Sequence, residues 1–227
     1  YPGAAQAARY IETVLRGMGL DKVAVQEYDV SIPMEKSGRL RCTGDGTELP
    51  LHGLWPNLVK TSTLPEGGLR GQLIDAGRGE LLELEGKAVQ GSIALLDFNS
   101  GDRWLSCAYL GAAAVLFVEP DSTVYLEGEK KFLSMPLNLP RFWVSKAQGE
   151  MLRQRLSQGP VEVQLDYRMD WERQPAWNIM AMIPGADPLL RDDVVVLESY
   201  YDAMSVVPAL TPGAEQACSI TALLELA

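Results

Sequence analysis

A continuous apolar run near the end of the chain constrains the fold more than any other feature. Residues 194–202 read Val-Val-Val-Leu-Glu-Ser-Tyr-Tyr-Asp, and the β-branched run that opens this stretch predicts a strand buried on both faces. A loop containing Pro212 and Gly213 follows, and a helix is expected from about Glu215 to the end of the sequence. A buried strand that leads through a loop into a helix is typical of an α/β fold.

The rest of the sequence predicts further helices and strands in alternation. Apolar residues at helical spacing favour a first helix over residues 3–19, and Ser145 is a suitable N-cap for a helix over 146–157. A short helix is expected at 104–110 and a loop at 120–140. Strands are predicted at 23–32, 69–74, 92–96, 113–118, 142–144, 161–165 and 179–183.

The order of these elements indicates two domains. Residues 1–35 and 172–227 supply a helix and core strands of one discontinuous α/β domain. Residues 36–171 have many glycines and prolines between short strands, which predicts a β-rich α/β domain inserted into the first one.

Charge and composition exclude several classes of partner. The 227 residues carry 20 Lys and Arg against 30 Asp and Glu, a net charge of −10, whereas nucleic acids and anionic membranes favour cationic surfaces. No apolar run approaches the roughly 20 residues that span a bilayer. The sequence starts without Met and stops inside a helical pattern. We therefore interpret it as a segment of a longer polypeptide, in which any anchor or targeting signal would lie elsewhere.

Few residues are available for nucleophilic or metal chemistry. The three cysteines, Cys42, Cys107 and Cys218, form no CxxC pair, so we expect inert thiols, with a lone Cys42–Cys107 bridge as the alternative. Cys218 lies at the start of a predicted helix, where a thiolate is favoured, but the sequence shows no base for it. The single histidine, His52, lies in a loop-like stretch and is expected to be structural.

Several stretches resemble the M28 zinc aminopeptidases. The opening Tyr1-Pro-Gly with the helix after it resembles the first helix of that family, and Asn178-Ile-Met-Ala-Met-Ile-Pro-Gly with residues 194–202 resembles its first core strands. The loop Pro212-Gly-Ala-Glu-Gln-Ala-Cys-Ser resembles its metal loop. The resemblance covers nearly the whole chain and implies that the second half of the catalytic domain would lie beyond Ala227.

The middle of the chain resembles the protease-associated (PA) domain that is often inserted in such peptidases. The resemblance is carried by Gly86-Lys-Ala-Val-Gln-Gly-Ser-Ile-Ala-Leu-Leu-Asp, Leu110-Gly-Ala-Ala-Ala-Val-Leu-Phe-Val and Leu139-Pro-Arg-Phe-Trp-Val-Ser. It implies a partial zinc-peptidase-like α/β domain with an inserted PA-like domain.

The resemblance assigns metal-site roles to four positions. Members of the family carry His-x-Asp at the end of the second core strand, where the His binds zinc and the Asp orients it, and this chain has Tyr200 and Asp202 there. They then carry Gly-Ala-Asp-Asp, whose second Asp bridges two zinc ions, and this chain has Glu215 and Gln216 in place of the two acids. Further ligands and a general-base glutamate would come later in such a chain.

Two of these replacements oppose a pair of zinc ions. Gln216 offers a neutral amide oxygen, which lacks the negative charge that a bridge between two dications requires. Tyr200 would have to lose a proton with an ordinary pKa of about 10, and phenolate is not among the usual zinc ligands. We therefore predict no catalytic residue and no bound cofactor. In an alternative, Asp202 and Glu215 are oxygen ligands for Ca²⁺ or Mg²⁺; otherwise both are solvated or bonded to loop amides.

Two tryptophans are candidates for a recognition surface. Trp55 and Trp104 lie in loop-like stretches that contain Gly or Pro. If they are exposed, their large amphipathic rings would contact a partner.

These features lead to two functional hypotheses. The first is an M28 peptidase-like protein with a degenerate zinc site that recognises peptides or proteins without hydrolysing them. The alternative is an active metal-dependent aminopeptidase with a displaced zinc site. The resemblance also implies an extracytoplasmic or secreted location, with membrane anchoring through sequence outside this segment. The sequence does not indicate an oligomeric state.

Overall fold

The structure is a computed structural model that describes residues 2–20, 22–56, 60–132, 135–202 and 213–227. The helices in these ranges are α1 (Pro2–Gly17), α2 (Leu81–Leu84), α3 (Leu105–Tyr109), α4 (Tyr125–Glu129), α5 (Lys146–Gln158) and α6 (Gly213–Leu226). The strands in these ranges are β1 (Lys22–Cys42), β2 (Glu48–Pro50), β3 (His52–Gly53), β4 (Leu69–Asp75), β5 (Ile93–Asp97), β6 (Ala114–Val118), β7 (Arg141–Val144) and β8 (Val161–Met182).

The chain divides into two compact units. The terminal unit contains the described residues of 1–32, 173–205 and 211–227, and the central unit contains those of 33–172. The long strands β1 and β8 contribute residues to both units. The interpretation of the units as a peptidase-like domain (1–35 and 172–227) and an inserted PA-like domain (36–171) stays a prediction.

The strands form a mixed eight-stranded sheet in the order β2-β1-β8-β4-β5-β6-β7-β3. The four central strands β4 to β7 are parallel, with Leu116 of β6 opposite Leu95 of β5 and Phe142 of β7. Strand β8 pairs antiparallel with β4, and the edge strands β2 and β3 pair antiparallel with β1 and β7. The prediction of an α/β fold is therefore confirmed, as is the buried strand expected at 113–118.

The core of the central unit lies on the parallel strands. Leu95, Leu116 and Phe142 are all fully buried, as is usual for parallel strands, which are covered on both faces of the sheet. Helix α5 contributes Leu152 to the same core cluster. The core of the central unit therefore includes side chains of both the parallel strands and α5.

Helix α5 begins and packs as its sequence predicts. The hydroxyl of Ser145 accepts a hydrogen bond from the backbone N–H of Gln148, and the Gln148 side chain accepts one from the Ser145 N–H at 2.9 Å, which together make a capping box. One turn later, Gly149 faces Val118 of β6 so closely that a Cβ at this position would overlap the methyl groups of Val118. The helix therefore approaches the sheet at a position that has no room for a side chain.

Three sequence expectations are wrong in detail. The structure gives no strand to residues 194–197, which lie on the surface. The strands expected at 161–165 and 179–183 are parts of one continuous strand, β8, because the pairing continues through a stretch whose apolar pattern is weak. The loop expected at 120–140 contains the short helix α4.

None of the helices in the described ranges is long and apolar enough to cross a membrane.

Candidate functional site

The segment at 200–202 belongs to the terminal unit and is held by its middle residue. The hydroxyl of Tyr201 donates a 2.7 Å hydrogen bond to the carbonyl oxygen of Trp177 on β8. The indole N–H of Trp177 donates in turn to Oε2 of Glu27 on β1, at 3.0 Å. These contacts connect the segment to both long strands.

The two site candidates on either side of Tyr201 face the solvent. Tyr200, which the resemblance places at a zinc-ligand position, is 82% exposed, and Asp202 is exposed as well. Burial raises the pKa of the Tyr201 phenol, and the negative charge of Asp202 acts in the same direction. Tyr201 therefore keeps its proton at neutral pH and remains a hydrogen-bond donor, which makes it a poor metal ligand.

The second half of the predicted metal site is only partly described. Helix α6 begins at Gly213, so Glu215 and Gln216 belong to its first turn, but their side chains lie outside the described residues. Residues 203–212 lie outside the description as well. The predicted approach of these two side chains to Tyr200 and Asp202 stays a prediction.

Metal ions in proteins are held by clusters of His, Cys, Asp or Glu side chains. Within ranges 2–20, 22–56, 60–132, 135–202 and 213–227, no group of three or more His, Cys, Asp or Glu side chains could hold a metal ion. Asp202 therefore has no second and third ligand within this part of the chain. A metal centre that uses it would need side chains from outside the described residues.

The single histidine belongs to a polar cluster in the central unit. The ring of His52 stacks on Trp143, with 4.4 Å between ring centroids, and its Nδ1 lies 2.9 Å from Oε1 of Glu35. The other oxygen of Glu35 accepts hydrogen bonds from the Gly53 amide at 3.2 Å and the Tyr167 hydroxyl at 3.1 Å. These contacts support the structural role expected for His52.

The two tryptophans differ in exposure. Trp104 is fully buried, its indole N–H donates to the carbonyl oxygen of Lys130 at 3.0 Å, and its ring meets Phe117 edge-on. Trp104 therefore does not meet the condition of exposure on which its predicted recognition role depended. Trp55 is half-buried, and its role in recognition stays a prediction.

The cysteines offer no disulfide. Cys42 and Cys107 are buried free thiols and Cys218 is an exposed one, so the alternative of a Cys42–Cys107 bridge is not found. Burial raises the pKa of Cys42, and it raises the pKa of Cys107 to about 11. Both buried thiols therefore stay protonated and unreactive at neutral pH.

A charge cluster at the carboxyl ends of β4 and β5 was not predicted. Arg153 of α5 places Nη2 2.5 Å from Oδ1 of Asp97 and Nε 3.4 Å from Oδ1 of Asp75. The signal available in the sequence is an Asp directly after each of two buried strands, since the ends of parallel neighbours meet at one edge of a sheet. This pattern of two Asp residues does not predict that Arg153 pairs with them.

The central unit also contains an open groove of about 470 Å³. Its walls are formed by residues 60–65 and 137–141. The Lys60 amine donates to Oδ1 of Asn138 at 2.6 Å, and the backbone N–H of Arg141 donates to the Ser62 hydroxyl at 3.1 Å. These two hydrogen bonds connect the two segments that line the groove.

One wall of this groove is fixed by a buried cation. The guanidinium of Arg141 donates to the carbonyl oxygens of Lys131, Met135 and Leu137, at 2.5, 3.1 and 3.1 Å. Burial lowers the pKa of Arg141 to about 10, so the side chain is still charged at neutral pH. The three carbonyl groups that this charged donor contacts therefore lie next to, or on, the wall of the groove that contains Leu137 and Arg141.

The fold is similar to those of several aminopeptidases and related peptidases. The aminopeptidase from Aneurinibacillus sp. strain AM-1 matches with a TM-score of 0.53 and 20% identity, over 100% of this chain and 53% of its own. BSAP, a zinc aminopeptidase from Bacillus subtilis, matches with a TM-score of 0.56 and 20% identity, over 82% of this chain and 42% of its own. A peptidase M28 precursor from Shewanella amazonensis SB2B matches with a TM-score of 0.53 and 13% identity, over 81% and 46%.

These comparisons establish similarity of fold. The chain spans about half the length of the solved structures that it matches. No family model and no curated protein matches its sequence. The α/β fold predicted from the sequence is therefore structurally similar to part of the M28 peptidases.

Proposed function

We propose that this chain is part of a peptidase-like protein that recognises peptides or proteins and does not hydrolyse them. The proposal depends mainly on one observation, the presence of Tyr200 and Gln216 where the resemblance implies a zinc-binding histidine and a bridging aspartate. A neutral phenol and a neutral amide do not supply the charge that a pair of dications requires. The fold is retained while the chemistry of its metal loop is changed.

The environment of Tyr200 supports the same conclusion. Its side chain is 82% exposed, whereas a phenolate ligand needs a nearby cation or strong donors to lose its proton. Such exposure suits a contact residue on a recognition surface, because tyrosine supplies a large ring and a polar tip.

The groove of the central unit is the recognition site that the geometry favours. It combines hydroxyl groups on residues 61–63 with apolar side chains at Leu137 and Leu139. Such a mixture suits an extended peptide, whose backbone needs hydrogen bonds and whose side chains need apolar contacts. The PA-like identity of this unit belongs to the proposal.

The experiment is peptide binding measured by fluorescence anisotropy with a pool of labelled random hexapeptides. Leu139→Arg places a charged side chain in the groove and is expected to weaken binding at least about tenfold, a loss of about 1.4 kcal/mol. Leu82→Arg on α2 is the control, because Leu82 is 85% exposed and belongs to the same unit. Equal binding by both variants and the parent would place recognition elsewhere, and no binding by the parent would reject the proposal.

A second function is an active metal-dependent aminopeptidase with a displaced site. It is favoured by the fold likeness to proteins described as aminopeptidases and by the carboxylates of Asp202 and Glu215 next to the two replaced positions. Zinc, Ca²⁺ or Mg²⁺ would then be held by these oxygens and by later ligands. Hydrolysis of an aminoacyl-p-nitroanilide that stops with a chelator would favour this function over the first.

We propose that the protein is extracytoplasmic or secreted. Any membrane anchor would belong to sequence outside this chain. Fractionation of cells that express the natural polypeptide tests it, because the proposal requires the protein outside the cytoplasm.

A further inference from the structure

The groove of the central unit is positively charged in a chain that is acidic overall. The whole chain has 30 Asp and Glu against 20 Lys and Arg. The residues that line the groove, all within the described ranges, include Lys60 and Arg141 but neither Asp nor Glu. A cleft lined by one sign of charge concentrates its electric field and attracts ligands of the opposite sign. The groove therefore favours an anionic ligand.

Arg141 is a buried cation that has no carboxylate partner within the described part of the chain. Lys131 and Arg141 are the buried basic side chains of that part, 0 and 4% exposed. Lys131 pairs with Glu127 at 2.8 Å. Arg141 belongs to none of the ion pairs among the described residues, and its guanidinium contacts carbonyl oxygens instead. Because a buried charge is costly unless an opposite charge offsets it, an anion in the groove would stabilise Arg141.

The hydroxyl groups of residues 61–63 show which of them can donate to a ligand. The Thr63 hydroxyl donates its proton to the carbonyl oxygen of Met169 at 2.8 Å, so the 2.9 Å hydrogen bond between Thr61 and Thr63 is donated by Thr61. The Ser62 hydroxyl accepts from the Arg141 N–H at 3.1 Å. Among the described residues, no hydrogen bond uses the proton of Ser62. Ser62 can therefore donate to an acceptor in the groove.

Lys60 brings a second positive charge to the groove. Its side chain is exposed, and its amine donates to Oδ1 of Asn138 at 2.6 Å. Because Lys60 and Asn138 belong to the two segments that line the groove, this hydrogen bond keeps the ammonium group between them. Its charge therefore acts on any ligand that the groove holds.

We propose that the groove selects peptides that carry a carboxylate group, an inference that rests on the peptide recognition proposed above. The carboxylate lies beside Lys60 and Ser62 and offsets the charge of Arg141. An ionised carboxylate only accepts hydrogen bonds, which matches the donors of Lys60 and Ser62. An Asp or Glu side chain and a peptide C-terminus both supply this group.

Binding of four labelled hexapeptide pools tests the proposal. All four carry the same N-terminal label and random uncharged residues at the other positions. Three are C-terminal amides with two Gln, two Glu or two Lys residues, and the fourth is the Gln pool with a C-terminal carboxylate. We expect the Glu pool or the carboxylate pool to bind about threefold or more tightly than the Gln amide pool, and the Lys pool to bind most weakly.

The charge of the whole chain makes this comparison stringent. A net charge of −10 would by itself favour the Lys pool, so a preference for carboxylates has to come from the groove. Tighter binding of the Glu pool identifies a side-chain carboxylate, and tighter binding of the carboxylate pool identifies the C-terminus. The preference is expected to shrink between about 50 and about 500 mM NaCl, because salt screens exposed charges.

Variants of Lys60 connect the preference to the groove. Lys60→Met should reduce the preference for carboxylate pools to less than about twofold and leave binding of the Gln amide pool within about twofold. Lys60→Arg retains the charge and should retain the preference. Lys146→Met is the matched control, because it makes the same change of net charge at a 50% exposed position outside the groove. Arg141 is left unchanged, because its buried hydrogen bonds make misfolding the expected result of its removal.

The possible failures are distinguishable. Equal binding of the four pools, or tightest binding of the Lys pool, would overturn this inference and leave peptide recognition standing. A preference that survives Lys60→Met, disappears in Lys60→Arg, or falls equally in Lys146→Met would also overturn it. Binding of none of the pools would reject the function proposed above, and this inference with it.

Discussion

The hydroxyl of Tyr201 lies 2.7 Å from the carbonyl oxygen of Trp177, and this hydrogen bond joins the segment that carries Tyr200 and Asp202 to strand β8. The phenol is partly buried, and its pKa is raised, so it donates this bond across the physiological pH range. Its neighbour Tyr200 is 82% exposed. The two adjacent tyrosines therefore have different roles, one in structure and one at the surface.

Removal of the Tyr201 hydroxyl is expected to weaken the terminal unit. Tyr201→Phe leaves the Trp177 carbonyl without this donor and should lower the free energy of unfolding by about 1 kcal/mol, the usual net value of such a bond. Tyr200→Phe is the matched control and should change it by less than about 0.3 kcal/mol, because an exposed hydroxyl is solvated in both states. Urea denaturation measures both, and equal effects would contradict the assignment of separate roles.

The Glu35 cluster predicts a pH-dependent stability. Burial acts to raise the pKa of Glu35, but the hydrogen bonds from His52 and Gly53 outweigh it, so the pKa lies below its ordinary value of 4.5. A carboxyl group with a lowered folded-state pKa stabilises the protein fully above the unfolded-state value. That contribution is lost as the pH falls through the lower, folded-state value.

Glu35→Gln tests this dependence. At pH 7 it should lower the free energy of unfolding by about 1 kcal/mol, a value reduced for the partial exposure of the carboxylate. The difference from the parent should shrink as the pH falls from the ordinary value of 4.5 through the lower, folded-state pKa, because the parent carboxyl then becomes protonated too. Glu66→Gln, at an exposed loop position, is the control and should change the free energy of unfolding at pH 7 by less than about 0.5 kcal/mol. A difference for Glu35→Gln that stays constant as the pH falls would contradict this assignment.

The ion pairs of α5 should contribute different amounts to the free energy of unfolding, according to their exposure. Arg153 is 30% exposed and contacts two carboxylates, those of Asp75 and Asp97, whereas the pair of Lys146 with Asp121 is 50 and 81% exposed. Arg153→Met should therefore destabilise the central unit by about 1 to 2 kcal/mol, and Lys146→Met by less than about 0.5 kcal/mol. Urea denaturation at low and high salt checks this, and equal losses would refute it.

Two glycine-to-alanine substitutions should change the free energy of unfolding in opposite directions. In a helix, Ala is favoured over Gly by up to about 1 kcal/mol, but a Cβ at Gly149 would overlap Val118, and overpacking costs about 1 to 3 kcal/mol. Gly149→Ala should therefore destabilise. Gly17→Ala should stabilise by a few tenths to about 1 kcal/mol, because a Cβ there meets no atom within 4 Å. Thermal unfolding measures both, and a stabilising Gly149→Ala would show that α5 can move away from β6.

Local signals in the sequence were sufficient for much of the central unit. Ser145 was identifiable as a cap because its hydroxyl and the following Gln148 act within one turn. The strand at 113–118 was identifiable because a short apolar run bounded by glycine and a loop has few other conformations. In both cases the information lies within about ten residues of the chain.

Features that depend on distant residues were not accessible in the same way. Residues 194–197 have the composition of a buried strand but are exposed, because burial depends on neighbouring segments that composition does not specify. Trp104 lies in a loop-like stretch, yet its ring is buried and contacts Phe117, which is distant in sequence. Glu35 contacts His52, Gly53 and Tyr167 only when strands distant in sequence assemble. No local sequence pattern therefore predicts this cluster.

The metal content of the full natural polypeptide tests the central claim most directly. The protein is purified after growth with added zinc, dialysed, analysed for bound metal and assayed with aminoacyl-p-nitroanilides, alongside the double variant Tyr200→His with Gln216→Asp. The account predicts that the natural protein retains no stoichiometric zinc and does not hydrolyse these substrates, and that the double variant binds zinc more tightly. Two zinc ions held by each natural chain, together with hydrolysis that a chelator abolishes, would contradict it.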